Sequence, residues 1–113
     1  MRRGDVFWAD MDPPHGAEPG KTRPVVVIQS DLLNSVNHDT TIVSMISTNV
    51  KPQPHPYRVH LPRRSAGLGR ASDVLVDQTR AIDNDRLKHH AGHLPDSLLE
   101  ELSEKLRTVL DLA

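Results

Sequence analysis

The sequence contains no cysteine, so neither a disulfide framework nor thiol chemistry is open to it, and a reducing compartment is favoured. Aromatic residues are almost absent: Phe7, Trp8 and Tyr57 are the whole set. The core must therefore be built from Val, Ile and Leu. No stretch approaches the run of about 18 apolar residues that a membrane-spanning helix needs. The basic pair Arg2-Arg3 is followed by Gly4-Asp5 and not by a long apolar segment, which argues against a signal peptide and for a cytoplasmic protein. Net charge gives no direction either, at −1 with neutral histidines.

What is present is enough for one domain. A chain of 113 residues supports a single hydrophobic core, so residues 1–113 are read as one unit. Charge is unevenly spread. Between residues 51 and 70 the charged side chains are Lys51, Arg58, Arg63, Arg64 and Arg70, with no acid among them. Between residues 96 and 111 five acids face only Lys105 and Arg107. A basic middle is a footprint for phosphates, with plain solvated surface as the alternative.

The pattern reads mainly β. Residues 5–10 form a first strand. Residues 12–21 hold three prolines and two glycines and can only be a loop. The run Pro24-Val25-Val26-Val27-Ile28-Gln29 is continuously β-branched, as in a strand buried on both faces. Ser30 or Asp31 caps a short helical turn. Residues 40–47 are a third strand, residues 57–61 alternate with period two, and residues 72–82 supply one or two more strands. Leu98, Leu102, Leu106 and Val109 recur at helical spacing and define one terminal amphipathic helix. Pro95 and Asp96 mark its start, with a Ser97–Glu100 capping box as the alternative. Five to seven strands and one helix predict a compact, barrel-like antiparallel sheet with the helix packed on it.

Candidate chemistry gathers at strand ends. Arg23 joins the loop to the buried strand, so its base is held and its guanidinium can face a phosphate; a surface arginine is the alternative. Ser47 and Thr48 close the third strand with hydroxyls suited to a phosphate oxygen or to nearby backbone. Glu18 in the loop can accept from base edges or orient Arg23. Asp77, Gln78 and Arg80 can read bases or form a solvated edge. His89, His90 and His93 have partial metal-ligand spacing, but Gly92 breaks a helix there and no fourth ligand is evident, so no metal site is assigned. His15 has the right intrinsic basicity for proton transfer, or is simply an exposed loop residue.

The ordered set Arg3-Gly4-Asp5-Val6-Phe7-Trp8, Asp12-Pro13, Gly16-Ala17-Glu18, Arg23-Pro24-Val25-Val26-Val27-Ile28, Asn34, Ile42 to Asn49, Asp77 to Asp83 and Arg86-Leu87 resembles the MazF/PemK family of toxin endoribonucleases. The resemblance covers almost the whole chain. It implies an SH3-like barrel with a C-terminal helix and a homodimer with single-stranded RNA across its interface. It also implies cofactor-free and metal-independent cleavage at short RNA motifs, and a MazE-like antitoxin whose acidic segment occupies the RNA groove. It maps the catalytic arginine to Arg23 and the catalytic hydroxyl to Ser47, and puts Glu18, Asn34, Asp77 and Gln78 at RNA-contacting positions. The family carries threonine where Ser47 stands. Serine keeps the hydroxyl but loses the methyl that fixes its rotamer, and Thr48 beside it is the other hydroxyl available. RNA brings its own 2′-hydroxyl nucleophile, so the expected products are a 2′,3′-cyclic phosphate and a 5′-hydroxyl, and DNA is spared. Glu18, His15 and water stand as alternatives for the base.

Two other readings compete. A gyrase-directed toxin of CcdB type would carry a C-terminal Trp-Gly-Ile, whereas the chain ends Asp111-Leu112-Ala113 and its one tryptophan is Trp8. An RNA-binding regulator weakened at Ser47 would bind without cutting.

Overall fold

The computed structural model describes residues 1–11 and 21–113. Ten elements follow one another: β1 (Asp5–Asp10), β2 (Thr22–Val27), α1 (Asp31–Asn34), β3 (Thr40–Ser47), β4 (Arg58–Leu61), a 3₁₀ turn (Ser65–Gly67), β5 (Ser72–Asp83), a second such turn (Asn84–Arg86), β6 (Leu87–His93) and α2 (Asp96–Val109). The strands form one sheet in the order β4-β5-β3-β2-β1-β6, every ladder antiparallel.

The β-branched run behaves as its composition demands. Val25, Val26 and Val27 are all fully buried, and the first two serve two different cores. Val26 joins Val6, Ile46, Val59, Leu61, Val74 and Val76 beneath α2, while Val25 joins Ala9, Met11, Val43 and Ile82 on the other face. Both cores are aliphatic, as the shortage of aromatics required. Trp8 and Tyr57 are exposed, and Phe7 is half-buried, edge-on to His90.

The sheet is not laddered shut, since β4 and β6 are its two edges. The barrel closes by packing instead. The 3₁₀ turn that follows β4 lies on β6, and the approach is backbone to backbone. A Cβ on Gly67 would stand 1.8 Å from the Ala91 carbonyl oxygen, and one on Gly92 would stand 2.5 Å from the Ala66 carbonyl. Gly67 also has φ +78°, a conformation that costs an L-residue.

Three details settle or extend the sequence reading. β5 is a single strand of 12 residues with a bulge in it: Met45 faces Leu75 but Ser44 faces Thr79, leaving Val76, Asp77 and Gln78 without partners on β3. The Thr79 hydroxyl holds that bulge by donating to the Val76 carbonyl at 2.9 Å. β6 was not anticipated, because Leu-Lys-His-His-Ala-Gly-His has little strand propensity; its ladder with β1 makes it a strand. Finally, α2 begins after Pro95 with no side-chain cap, so Ser97 lies inside the first turn and the capping box does not form. Leu102 and Leu106 are buried as expected, but Val109 is exposed at the helix end.

Candidate active site

The β2–β3 ladder runs from Val27↔Val43 to Val25↔Met45 and stops there. Pro24 brings no N–H at that point. Beyond it β2 continues beside β1 as far as Thr22, and β3 continues beside β5 as far as Ser47. The sheet splits, and between the diverging ends lies a cleft of about 400 Å³. Arg23 comes from one side of the split, Ser47 and Thr48 from the other.

A third wall comes from further along the chain. The segment leaving the Ser65–Gly67 turn places Leu68 and Arg70 in the same cleft, and Trp8 completes it from β1. Arg23 and Arg70 are both exposed, and the carboxylates that form ion pairs among the described residues are taken by other cations. Two guanidiniums thus face a lining of Trp8, Pro24, Ile46 and Leu68. Cations beside an aromatic and aliphatic surface suit a phosphate backbone with its bases.

Ser47 is half-buried, and its hydroxyl oxygen accepts the Asn49 N–H at 3.0 Å. This is the local backbone bond that strand-end hydroxyls commonly make. It uses one lone pair and leaves the hydroxyl hydrogen to be donated elsewhere. Thr48 is exposed at the lip of the cleft.

The remaining predicted residues are not gathered here. Asp77 and Gln78 are exposed on the β5 bulge, inside the strand and not near its end, and neither lines the cleft. Asn34 closes α1, beyond the far end of β2 from Arg23. Its amide donates to the Gln29 carbonyl and to Asp31, and accepts from the Gln29 side chain at 3.0 Å. Glu18 and His15 lie outside the described residues. Trp8 and Arg70 were not singled out from sequence as site residues. The acid-free basic stretch pointed towards Arg70, but five cations were in it and only the fold selects one.

Two buried carboxylates organise the flanks. Burial acts to raise the Asp73 carboxyl, but the Lys51 N–H at 2.9 Å, His60 at 3.0 Å and Arg58 at 3.1 Å outweigh it and hold the group below its ordinary value. Asp5 is likewise opposed by burial and lowered by the Arg2 N–H, His93 and His90. His90 and His93 thus lie on a strand and converge on Asp5, and no group of three potential ligands with metal-holding geometry occurs among the described residues.

Depressed carboxyls contribute stability above the ordinary aspartate value of 3.8, and that contribution is lost as pH falls through the lower folded values. The wild-type urea midpoint is therefore expected to drop as pH falls below about 5. The drop should be smaller in Asp73→Asn; an equal drop would remove Asp73 from the acid response.

The fold is that of a small β protein whose curled antiparallel sheet splits to set two arginines beside an apolar lining. The model of the PemK-like, MazF-like toxins of type II toxin-antitoxin systems matches residues 2–110. Endoribonuclease MazF6 of Mycobacterium tuberculosis is 39% identical over 112 residues, covering 99% of this chain and 98% of its own. Endoribonuclease EndoA of Bacillus subtilis is 37% identical over 112 residues, covering 99% and 96%. Among solved structures, the Mycobacterium tuberculosis toxin MazF-mt6 superposes with a TM-score of 0.79 at 24% identity, over 96% of this chain and 98% of that one. The MazF of a MazE-MazF complex from Deinococcus radiodurans also gives 0.79 at 24%, over 100% and 97%. These last two likenesses are of fold. The chain belongs to the PemK-like, MazF-like toxin family.

Proposed function

We propose that residues 1–113 are a single toxin domain that cleaves single-stranded RNA at short motifs and is neutralised by a cognate antitoxin. The observation that carries this reading is the split between β2 and β3, which brings Arg23 and Ser47 to one cleft. Relatives at 37–39% identity bear the name endoribonuclease, which supports the activity and gives no support to a gyrase-directed toxin. The MazE-MazF complexes in the same fold support the antitoxin as partner. A homodimer acting in the cytoplasm is part of the proposal.

The chemistry follows from the substrate. The RNA 2′-oxygen attacks the adjacent phosphorus, the bond to the 5′-oxygen breaks, and the products are a 2′,3′-cyclic phosphate and a 5′-hydroxyl. The 2′-hydroxyl proton leaves to a base, for which Glu18, His15 and water stand as alternatives, and the departing 5′-oxygen gains a proton. Arg23 holds the charge that builds on the phosphate oxygens, while Ser47 donates its hydroxyl to one of them. A guanidinium stays protonated and is a poor base, so Arg23 acts as electrostatic stabiliser, with Arg23 and water as the alternatives for the proton the leaving oxygen gains. The nucleophile belongs to the substrate and the positive charge to the protein, so the route calls for no metal. Thr48 is the neighbouring hydroxyl at the lip, and Asp77, Gln78 and Asn34 are proposed as RNA contacts outside the cleft.

The test is incubation with long single-stranded RNA in excess EDTA, with cut sites and end groups mapped and matched DNA alongside. Cuts at one motif with cyclic-phosphate ends, and intact DNA, are expected. RNA bound but uncut would identify a regulator instead. Arg70 has its own signature. Arg70→Ala should raise KM with little change in kcat, and should lower the slope of log affinity against log salt by about 0.7, one phosphate's share on a single strand. An unchanged salt slope would take Arg70 off the RNA.

A further inference from the structure

The hydroxyl at position 47 is a serine's, with three staggered χ1 wells open to it, whereas a threonine's γ-methyl would restrict its own χ1. An enzyme that relies on a serine hydroxyl needs another way to aim it. The segment following Ser47 shows such a device. The Asn49 N–H donates to Ser47 Oγ at 3.0 Å, and the Asn49 carbonyl accepts from the Arg58 guanidinium at 2.8 Å. The same guanidinium nitrogen donates to Asp73 at 3.1 Å, and the Asp73 oxygen it meets also accepts the Lys51 N–H at 2.9 Å. Asp73 has no solvent exposure and sits directly across from Ser47 in the β3–β5 ladder. Its second oxygen meets His60 Nδ1 at 3.0 Å. The Lys105 ammonium donates to the Arg58 carbonyl at 2.7 Å, which ties the arrangement to α2.

We propose that the Asp73–Arg58 pair is a positioning device for the Ser47 hydroxyl. The pair pins residues 49 and 51, so the Asn49 N–H occupies a fixed place against Oγ and the hydroxyl hydrogen is left to point into the cleft. Neither Asp73 nor Arg58 lines the cleft, so neither touches substrate there. The pair supplies from outside the side chain the order that a methyl group supplies from within. The argument rests on the reading of Ser47 as the reactive hydroxyl.

A bare loss of activity in Arg58→Met would not separate positioning from general damage, so the test is a two-by-two comparison. Arg58→Met is made in the native chain and in Ser47→Thr. In the native chain it is expected to lower kcat for RNA cleavage about tenfold with KM unchanged, the cost of a loosened reacting geometry. In the Ser47→Thr chain, where the side chain orders itself, the same change is expected to cost less than about twofold. Equal losses in both backgrounds, or a rise in KM in both, would overturn the proposal, the latter by making Arg58 an RNA contact. A second readout needs no activity. Hα–Hβ couplings of Ser47 are expected to report one χ1 rotamer in the native protein and an average of several in Arg58→Met. An unchanged single rotamer would also overturn it. If the native protein leaves RNA intact, the nuclease reading falls while the couplings still decide whether the pair orders Ser47. Should Arg58→Met fold poorly, Arg58→Lys retains the charge but not the fork, and is expected to lose rotamer order in the same direction.

Discussion

Arg23→Ala is expected to lower kcat for RNA cleavage by about 10³-fold while leaving the fold intact. The magnitude is that of removing a charged donor aimed at developing phosphoryl charge. Arg23 is exposed at the end of β2, outside both aliphatic cores, so its truncation opens no cavity and breaks no ion pair among the described residues. Arg23→Lys restores the charge but not the fork of donors, and should recover only part of the rate. Circular dichroism and a urea midpoint beside the kinetics separate chemistry from folding. A variant that kept more than about a tenth of the native rate would show that the transition-state charge is carried elsewhere, with Arg70, the other arginine lining the cleft, the one to examine.

The largest loss of stability is expected from a methyl group. Gly67→Ala places a Cβ 1.8 Å from the Ala91 carbonyl oxygen at a residue whose φ is +78°. Both partners of the clash are backbone, so the turn and β6 must separate. The left-handed conformation alone costs about 1–2 kcal/mol, and the lost packing carries the total above about 3 kcal/mol. Gly69 is the internal control. A Cβ there meets nothing within 4 Å, so Gly69→Ala should stay within about 0.5 kcal/mol. Urea denaturation of the two variants side by side checks the pair. A shift of less than about 1 kcal/mol in Gly67→Ala would mean that the turn yields easily and that the barrel does not depend on this contact.

The same turn shows where the sequence stopped being informative. β1 and β3 were legible to the residue, at Asp5–Asp10 and Thr40–Ser47, because each is a β-rich run bounded by turn signals. The short helical turn was legible with Ser30 or Asp31 as its cap, and it is the Ser30 hydroxyl that accepts the Leu32 N–H at 3.2 Å. These are local rules. β6 has no such rule behind it, since its ladder with β1 joins residues from opposite ends of the chain, Asp5 to His93 and Ala9 to Leu87. The bulge at Asp77 and Gln78 likewise comes from pairing and not from composition. In the site, Arg23 and Ser47 stood out through ordered motifs and strand-end placement, whereas Arg70 reaches the cleft only because Gly67 and Gly92 let the preceding turn settle on β6. Arg58 looked like one more cation in a basic stretch, yet its charge is spent on a buried aspartate.

The split between β2 and β3 has a mechanical reading. Arg23 rides on the β1–β2 arm and Ser47 on the β3–β5 arm, and the weld between the arms is the three pairs from Val25↔Met45 to Val27↔Val43. The Ile28 and Gln29 amides, both donating to the Ile42 carbonyl, prolong that weld away from the cleft. The two chemical groups are thus the tips of a pair of tongs whose pivot is a patch of fully buried valines. The gap at the tips is set by how those valines pack, so the spacing of Arg23 from Ser47 can be retuned by a methyl group at the pivot without exchanging either residue.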